Sequence, residues 1–209
     1  MGPRFRYVIC REVIEPRRAG INEAGIDFFI PTNLTPDDLF KANKKVNHTL
    51  IHSDYPYDWP NTGTTSIKTV DGFVTQIIIG ASSRIIIPSG VCGLLEPSNS
   101  MLMAANKSGV STKKGLIYGA EIVDSTYIGE IHINLINTSD IPQVIDVRDE
   151  KAVLQFIHVP IYPTIPERIS FEEFELEAKN WSDRGSNWQG STDGKGIRDI
   201  DHYGDKPNS

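Results

Sequence analysis

The sequence predicts an all-β protein, a sandwich or jelly roll. Short runs rich in β-branched residues dominate the middle of the 209-residue chain, and clusters of Gly, Pro, Asn and Ser separate them. Helical periodicity is scarce, and the runs do not alternate with helices as βαβ units would. The predicted strands are, in chain order, RYVIC, DFFIP, FVTQIIIG, SRIIIPS, VCGLLEP, GLIYGAEIVD, GEIHINLIN, VIDV and AVLQFIHVPIY.

Two short helical segments complete the predicted elements. In TPDDLFKANKKV, Thr35 is a good N-cap residue followed by acids, which predicts one short surface helix. The stretch MLMAANKSGVSTKK predicts a helical turn or two beginning near Ser108. Residues 33–70 show little periodicity, so we expect a long loop or insertion there. The core is expected to span residues 1–180, and residues 181–209 to form a flexible C-terminal arm.

Composition excludes several classes of protein. The chain is 39% hydrophobic and 23% charged, which is typical of a globular domain. Its net charge of −6 argues against a nucleic-acid partner. No apolar run reaches the ~18 residues of a membrane span, and the N-terminus lacks the apolar core of a signal peptide. Cys10 and Cys92 are expected to be buried free thiols in a reducing, cytoplasmic compartment, with a disulfide as the unsupported alternative.

The histidines do not predict a metal site. His48 and His52 have a spacing that suits a metal on a helix face, but no Cys, His or carboxylate cluster completes the ligand set. A solvated loop is the preferred interpretation. The sequence also lacks a G-x-S-x-G elbow, a Walker A motif and H-E-x-x-H.

Two stretches place polar residues in unusual positions. AGIDFFIP puts Asp27 at the start of a strand after a glycine. NKSGVSTKK puts Lys107, Ser108 and Gly109 where a turn opens a possible helix, which favours an anion. The structural alternatives are a turn carboxylate for Asp27 and a plain helix N-cap for Ser108.

Two further stretches also place polar or aromatic residues in unusual positions. IVDSTYIGEI puts Asp124 and Tyr127 on a strand-turn-strand hairpin, and AVLQF puts Gln155 inside an apolar strand. Asp124 has the alternative of a turn carboxylate and Tyr127 that of a core aromatic with a satisfied hydroxyl. Gln155 could instead serve a buried backbone group.

The stretch DRGSNWQGSTDG, residues 183–194, is unusual for a chain end. Glycine lets backbone N–H groups approach a phosphate, and hydroxyls add donors. A flexible linker would explain the Gly and Ser residues but not Arg184 or Trp188.

Taken in order, the five stretches resemble the trimeric dUTPase family. That family carries A-G-x-D-L, R-S-G, G-x-I-D-x-x-Y-x-G, G-D-R-I-A-Q-L and R-G-x-G-G-F-G-S-T-G. The corresponding stretches here are AGIDF, KSGVS, AEIVDSTYIGE, EKAVLQF and RGSNWQGSTDG. The resemblance spans about residues 20–194, and Ser108 precedes Asp124 by 16 residues, a usual family separation. PSNS at 97–100 mimics the second motif but lies too far upstream.

The chain also departs from the family pattern. Lys107 replaces an arginine, which keeps the charge but loses the bidentate fork. Lys151 and Ala152 stand where the fourth motif has Asp and Arg, and residues 187–189 read Asn-Trp-Gln instead of G-G-F. The insertion at 33–70 exceeds the family's usual loop. These departures indicate a divergent member, of a kind that suits a virus or phage.

The resemblance implies a fold, an activity and an assembly. Members are homotrimers of distorted jelly-roll (dUTPase-like β-clip) subunits with active sites at subunit interfaces. They hydrolyse dUTP to dUMP and pyrophosphate, which limits uracil in DNA and supplies dUMP for dTMP synthesis. Mg²⁺ is held by the substrate phosphates and water, with no direct protein ligand. The implied location is the cytoplasm, or the host cytoplasm or nucleus for a viral protein.

The resemblance also implies roles for individual residues. Asp124 orients and activates the attacking water, and Gln155 binds near the α-phosphate, with Asp27 in support. Tyr127 packs under the deoxyribose, and the hairpin 116–127 recognises the uracil edge through its backbone. The remaining substrate-binding positions are Lys107, Ser108 and Gly109 at the phosphates, Ile122 in the hairpin, and the lid residues Arg184, Trp188, Gln189, Gly190, Ser191 and Thr192.

Three alternatives remain open at this point. A dCTP deaminase would carry a Glu two residues before the Asn that ends the strand. In EIHINLIN, residues 130–137, the corresponding part of the strand at 132–135 holds no Glu. A pyrophosphatase for another, modified deoxypyrimidine triphosphate would fit the altered lid and the insertion. A non-catalytic nucleotide-binding or regulatory member would not need the carboxylate of Asp124.

Overall fold

A computed structural model describes residues 2–46, 49–52 and 64–181. The chain divides into two compact units, Met1–Pro163 and Thr164–Ser209. The first holds β1 (Arg4–Ile9), β2 (Gly25–Phe28), α1 (Pro36–Asn43), β3 (Thr49–His52), β4 (Thr64–Val70), β5 (Phe73–Ile79), β6 (Arg84–Glu96), β7 (Ser100–Ala105), α2 (Ser108–Lys114), β8 (Leu116–Tyr118), β9 (Ile122–Asp124), β10 (Glu130–Asn137), β11 (Gln143–Asp146), a 3₁₀ turn (Val147–Asp149) and β12 (Leu154–Pro160). The second holds α3 (Phe171–Trp181). Among the described helices, none is long and apolar enough to cross a bilayer.

The strands form three four-stranded sheets. Their orders are β1-β6-β10-β8, β11-β5-β4-β3 and β2-β12-β7-β9. Every pairing is antiparallel except that of β3 with β4. The predicted all-β class is therefore confirmed.

The core follows from alternation along the strands. In β10, EIHINLIN, the residues Ile131, Ile133 and Leu135 are buried while their neighbours face outward. Phe28 of β2 and Phe156 of β12 meet edge to face with centroids 4.7 Å apart. Fully burying each such side chain stabilises the fold by about 1.5–3 kcal/mol.

The predicted surface helix is confirmed as α1. The Thr35 hydroxyl accepts from the Asp38 N–H, and the Asp38 carboxylate accepts from the Thr35 N–H, a reciprocal capping box. Asn43 at the other end is buried, donates to the Ile86 carbonyl at 2.7 Å and accepts from the Ile86 N–H at 2.9 Å. The segment 33–70 is therefore more than a loop, because it also contains β3 and β4.

Several strand boundaries differ from the prediction. SRIIIPS and VCGLLEP form one strand, β6, which runs through Pro88 and Gly90; the paired β10 shifts register opposite this point. GLIYGAEIVD divides into β8 and β9, which belong to different sheets. The sequence did not predict β7, because MLMAA lacks β-branched residues, or α3, because the polar FEEFELEA at 171–178 was assigned to no helix or strand.

The cysteines lie closer to solvent than expected. Cys10 is exposed and Cys92 half-buried, so the expectation of two buried thiols is wrong. Both are free, and their Sγ atoms lie 4.0 Å apart.

Candidate active site

One sheet carries four of the five stretches singled out in the sequence. In the order β2-β12-β7-β9, Asp27 lies on β2 and Gln155 on β12. β7 leads directly into Lys107 at the start of α2, and β9 ends at Asp124. Residues far apart in the chain are thus placed by strand pairing alone.

The first of two clusters, here called the phosphate cluster, contains Asp27, Asn106, Lys107 and Gln155. Lys107 Nζ lies 2.5 Å from Asp27 Oδ1, and both side chains are mostly buried, 29% and 16% exposed. Gln155 is the direct cross-strand partner of Asp27 and donates from Nε2 to the Asn106 carbonyl at 2.8 Å. Strand register therefore brings the first, second and fourth stretches together within one chain.

Two residues that support this cluster were not assigned roles from the sequence. Gly25 must be glycine because a Cβ there would overlap the Gln155 side chain. Asn106 accepts from the Tyr118 N–H through Oδ1 at 2.9 Å, which ties the cluster to β8. The glycine in AGIDF was a visible signal, whereas the role of Asn106 depends on contacts with distant strands.

Ser108 and Gly109 form the first turn of α2 and are exposed. The first N–H groups of a helix have no intrahelical partner. Lys107 is the N-cap, and no side-chain cap bond is made there within the described chain. A Cβ on Gly109 would meet nothing within 4 Å among the described residues. The turn therefore offers backbone donors beside the Lys107 ammonium, an arrangement suited to an anion.

The second cluster, here called the sugar turn, spans residues 124–129. Asp124 is exposed, and its carbonyl accepts from the Tyr127 N–H at 3.0 Å. The Tyr127 hydroxyl donates to the Glu130 carbonyl at 2.8 Å, and its ring lies over Gly129, where a Cβ would fall 2.7 Å from the hydroxyl oxygen. Ile122 on β9 is 55% exposed. The turn thus presents a carboxylate, an aromatic ring and an apolar side chain to solvent. The predicted strand-turn-strand hairpin is wrong, because β9 and β10 on either side of this turn belong to different sheets.

The two clusters do not meet within one chain. Asp124 pairs with Met101 on β7, whereas Gln155 pairs with Ala105 on the other edge of the same strand. Four residues of strand correspond to about 13 Å. Within one subunit, Gln155 and Asp124 are therefore too far apart to contact the same atom of a substrate.

A partly buried ion network holds the end of the sugar turn. Glu130 accepts from Arg11 Nε at 2.7 Å and Nη2 at 3.2 Å, and Arg11 Nη1 lies 3.1 Å from Asp38 Oδ1. The hydrogen bond to Glu130 raises the pKa of the Arg11 guanidinium above its usual value. Burial alone would raise the pKa of Asp38, but bonds from Thr35 and the charge of Arg11 outweigh it and hold that pKa below its usual range.

A cleft of about 490 Å³ lies away from both clusters. It is lined by Phe5, Tyr7, Arg17, Arg18, Ile157 and His158 among others, and by none of the predicted site residues. Among the described residues no group of three or more His, Cys, Asp or Glu is placed to hold a metal ion.

Some predicted residues lie outside the described part of the chain. These are His48 and the proposed lid residues Arg184, Trp188, Gln189, Gly190, Ser191 and Thr192. Their roles stay predictions.

Comparison with known proteins gives a consistent result. The dUTPase family model matches residues 73–188. A deoxyuridine 5'-triphosphate nucleotidohydrolase of Haemophilus ducreyi is 26% identical over 118 residues, 55% of this chain and 78% of that protein. One from Shewanella pealeana is 26% identical over 149 residues, 68% of this chain and 90% of that protein.

Solved structures show the same fold. A dUTPase mutant of Staphylococcus bacteriophage 80alpha with dUpNHpp superposes with a TM-score of 0.57 at 16% identity, covering 90% of this chain and 98% of that one. A dUTPase of phage phi11 of S. aureus gives a TM-score of 0.51 at 16% identity, covering 82% and 99%. The predicted jelly-roll class is confirmed by this likeness.

Proposed function

The chain belongs to the dUTPase family, and from this premise we propose that the protein hydrolyses dUTP to dUMP and pyrophosphate. The observation that carries the proposal is the placement of the family's first four stretches on one sheet, with a donor-rich cluster that contains a Lys107–Asp27 ion pair at one end and an exposed carboxylate at the other. The biological role would be to limit uracil in DNA and to supply dUMP for dTMP synthesis. A cytoplasmic location, or a host-cell one for a viral protein, belongs to the same proposal.

The proposed active unit is a homotrimer with sites at subunit interfaces. The separation of Asp124 from Gln155 supports this, because a complete site then takes its phosphate cluster from one subunit and its sugar turn from another. Closed cyclic symmetry would give each interface the same pair of clusters.

The proposed cofactor is Mg²⁺, which arrives with the substrate. Mg²⁺ prefers oxygen ligands and keeps several waters, so the triphosphate can hold it without a protein cage. The Asp27 carboxylate of the phosphate cluster is paired with Lys107. When bound, the ion offsets negative charge on the phosphates.

Asp124 is the proposed general base. It would orient a water toward the α-phosphorus and take its proton, and a positioned base typically contributes about 10²–10⁴-fold. Its exposure in the single chain leaves the carboxylate accessible to a substrate on a neighbouring subunit. Gln155, fixed by its bond to Asn106, would hold an α-phosphate oxygen or the water.

The phosphates are proposed to bind at the start of α2. Ser108 and Gly109 would donate through their backbone N–H groups, and Lys107 would supply a positive charge that Asp27 holds in place. A lysine cannot reproduce the bidentate grip of an arginine, so positioning would depend more on the backbone donors here. Arg184, Ser191 and Thr192 would close over the β- and γ-phosphates, and Trp188 with Gln189 and Gly190 would cover the base.

The sugar and base are proposed to bind at the segment 116–127, which includes β8 and β9. Tyr127 would pack under the deoxyribose and leave no room for a 2′-hydroxyl, and the half-exposed Ile122 would flank the base. Backbone groups matched to uracil would be left unpaired by cytosine, which disfavours it.

One observation favours a second candidate, a pyrophosphatase acting on a deoxypyrimidine with an additional N–H donor. Within the described chain the buried Oδ1 of Asn134 has no hydrogen-bond partner. It lies against Gly119 at the end of β8, where a Cβ would overlap it. A buried acceptor beside the proposed base-binding segment 116–127 would suit an amino group on the base.

The test is pyrophosphate release from dUTP, dCTP, dTTP and UTP, each with Mg²⁺, alongside the Asp124→Asn variant. Selective dUTP turnover that the variant loses supports the proposal. Preferred turnover of dCTP would favour the second candidate. Turnover of none of the four would contradict both.

A further inference from the structure

The carboxylate of Glu130 has three donors directed at it. Arg11 donates from Nε to Oε1 at 2.7 Å and from Nη2 to Oε2 at 3.2 Å, and the Gly90 N–H donates to Oε1 at 2.7 Å. The two charged side chains are mostly buried, 22% and 19% exposed. Charge-assisted bidentate pairs of this kind are strong and geometrically defined.

Arg11 is held from its other side as well. Its Nη1 lies 3.1 Å from Oδ1 of Asp38, the residue that completes the capping box of α1. The guanidinium therefore spans from α1 to the start of β10. A lysine could contact one of these carboxylates but could not bridge both with the same fork geometry.

The main chain of Glu130 holds the aromatic ring of the sugar turn. Its carbonyl accepts from the Tyr127 hydroxyl at 2.8 Å, and the ring is folded back over Gly129. Tyr127 is 46% exposed, so packing leaves much of the ring unsupported. A half-exposed ring without this anchor would populate more than one rotamer.

From these contacts we propose that Glu130 and Arg11 are positioning residues that set the discrimination between deoxyribose and ribose, by fixing the Tyr127 ring through the Glu130 backbone. The inference rests on the proposed function, in which Tyr127 packs under the sugar. Neither residue touches the substrate. If the anchor is loosened, the ring can move aside and the space for a 2′-hydroxyl opens.

A purely structural role would give a different result. Loss of a partly buried ion pair lowers stability and would reduce turnover of dUTP and UTP by the same factor. A positioning role instead changes the ratio of the two, because ring displacement removes a steric penalty that only UTP meets.

The experiment compares kcat/KM for dUTP and UTP in full-length wild type, Glu130→Gln, Arg11→Lys and Arg11→Met, with thermal unfolding of each. Asp37→Asn is the matched control, because it removes an exposed ion pair with Lys41 on the same helix as Asp38. We expect the dUTP to UTP ratio to fall about tenfold or more in Glu130→Gln and Arg11→Met. Arg11→Lys should rescue it only partly, and the control should keep the wild-type ratio.

An unchanged ratio in folded Glu130→Gln and Arg11→Met, or equal losses for both nucleotides, would overturn the inference. If those two variants do not fold, the ratio in the milder Arg11→Lys decides, and a wild-type value there would overturn it. Binding of non-hydrolysable dUTP and UTP analogues gives the same ratio without turnover. A wild-type protein that neither binds nor hydrolyses dUTP would overturn the proposed function first, and this inference with it.

Discussion

Gln155 and Asp124 flank the same strand, β7, at positions four residues apart. Gln155 pairs with Ala105 and Asp124 with Met101. The pairing separates the residue expected at the α-phosphate from the residue expected to activate water by about 13 Å along the strand. In the proposed active site these two residues come from different subunits, and catalysis is expected to depend on assembly.

Gly109→Ala tests whether the start of α2 is a phosphate site. A Cβ there would meet nothing within 4 Å among the described residues, so we expect the variant to fold with wild-type stability. A phosphate held close to the backbone would be displaced by the methyl group, and KM for dUTP should rise about tenfold or more. Steady-state kinetics and thermal unfolding measure both effects. Wild-type KM in the folded variant would place the phosphates elsewhere.

Gly25→Ala tests the support beneath Gln155. The new Cβ would overlap the Gln155 side chain, so either that side chain or β2 must move. We expect a loss of stability of about 1–3 kcal/mol, as for other overpacked sites, together with reduced turnover. Urea unfolding measures the loss. As a control, Gly20→Ala places its Cβ in ordinary contact with Glu23 at 3.6 Å and should change stability little.

We expect the Asp38 carboxylate to make the free energy of unfolding fall as the pH is lowered into the acid range. Its pKa is lowered in the folded state, so its contribution is present above the ordinary carboxyl pKa of about 3.9 and is lost as pH falls through the lower folded value. Asp38→Asn should therefore be less stable than wild type at pH 7, and the difference should shrink in acid. Urea midpoints at pH 7 and pH 3 measure this. A difference that stays constant over that range would contradict the assignment.

Cys10 and Cys92 are expected to close a disulfide under oxidising conditions, since their Sγ atoms lie 4.0 Å apart. Oxidised glutathione would take up the two electrons and leave as two molecules of reduced glutathione. Burial, then the charge of Glu130 and the neighbouring Cys92, raise the pKa of Cys10 to about 11 against a smaller opposing effect of Arg11. Less Cys10 thiolate is then present at neutral pH, so closure should speed up as pH rises.

Thiol counting after denaturation measures that closure. The wild type should lose both free thiols, whereas Cys92→Ser should form only a mixed disulfide with glutathione. Two free thiols remaining after prolonged oxidation at alkaline pH would contradict the expectation.

Local signals in the sequence predicted part of this fold well. The capping box at Thr35 involves residues three positions apart, so its pattern is complete within one short stretch. The all-β class followed from short β-branched runs separated by turn residues, which are also local signals. The division of GLIYGAEIVD between two sheets did not, because a strand's partners are chosen by the rest of the chain.

Prediction of the candidate site from the sequence has the same limit, because local motifs do not reveal contacts between distant parts of the chain. The residue types of Asp27, Lys107 and Gln155 were identifiable from their motifs, but the contact between Asp27 and Lys107 joins residues 80 positions apart. The bond between Arg11 and Glu130 spans 119 positions, and no periodicity marks either residue. Contacts of this kind become visible only when strand order and register are known.

The most direct test of the shared site is a subunit-mixing experiment. Asp124→Asn removes the carboxylate of the sugar turn, and Gln155→Ala removes a side chain of the phosphate cluster; each variant alone is expected to be nearly inactive on dUTP. After denaturation and joint refolding of equal amounts, random assembly leaves roughly one quarter of interfaces with both halves intact, and turnover should recover to about that fraction. Co-purification of differently tagged subunits confirms mixing. Mixed oligomers that remain as inactive as the two parents would contradict a site built from two subunits.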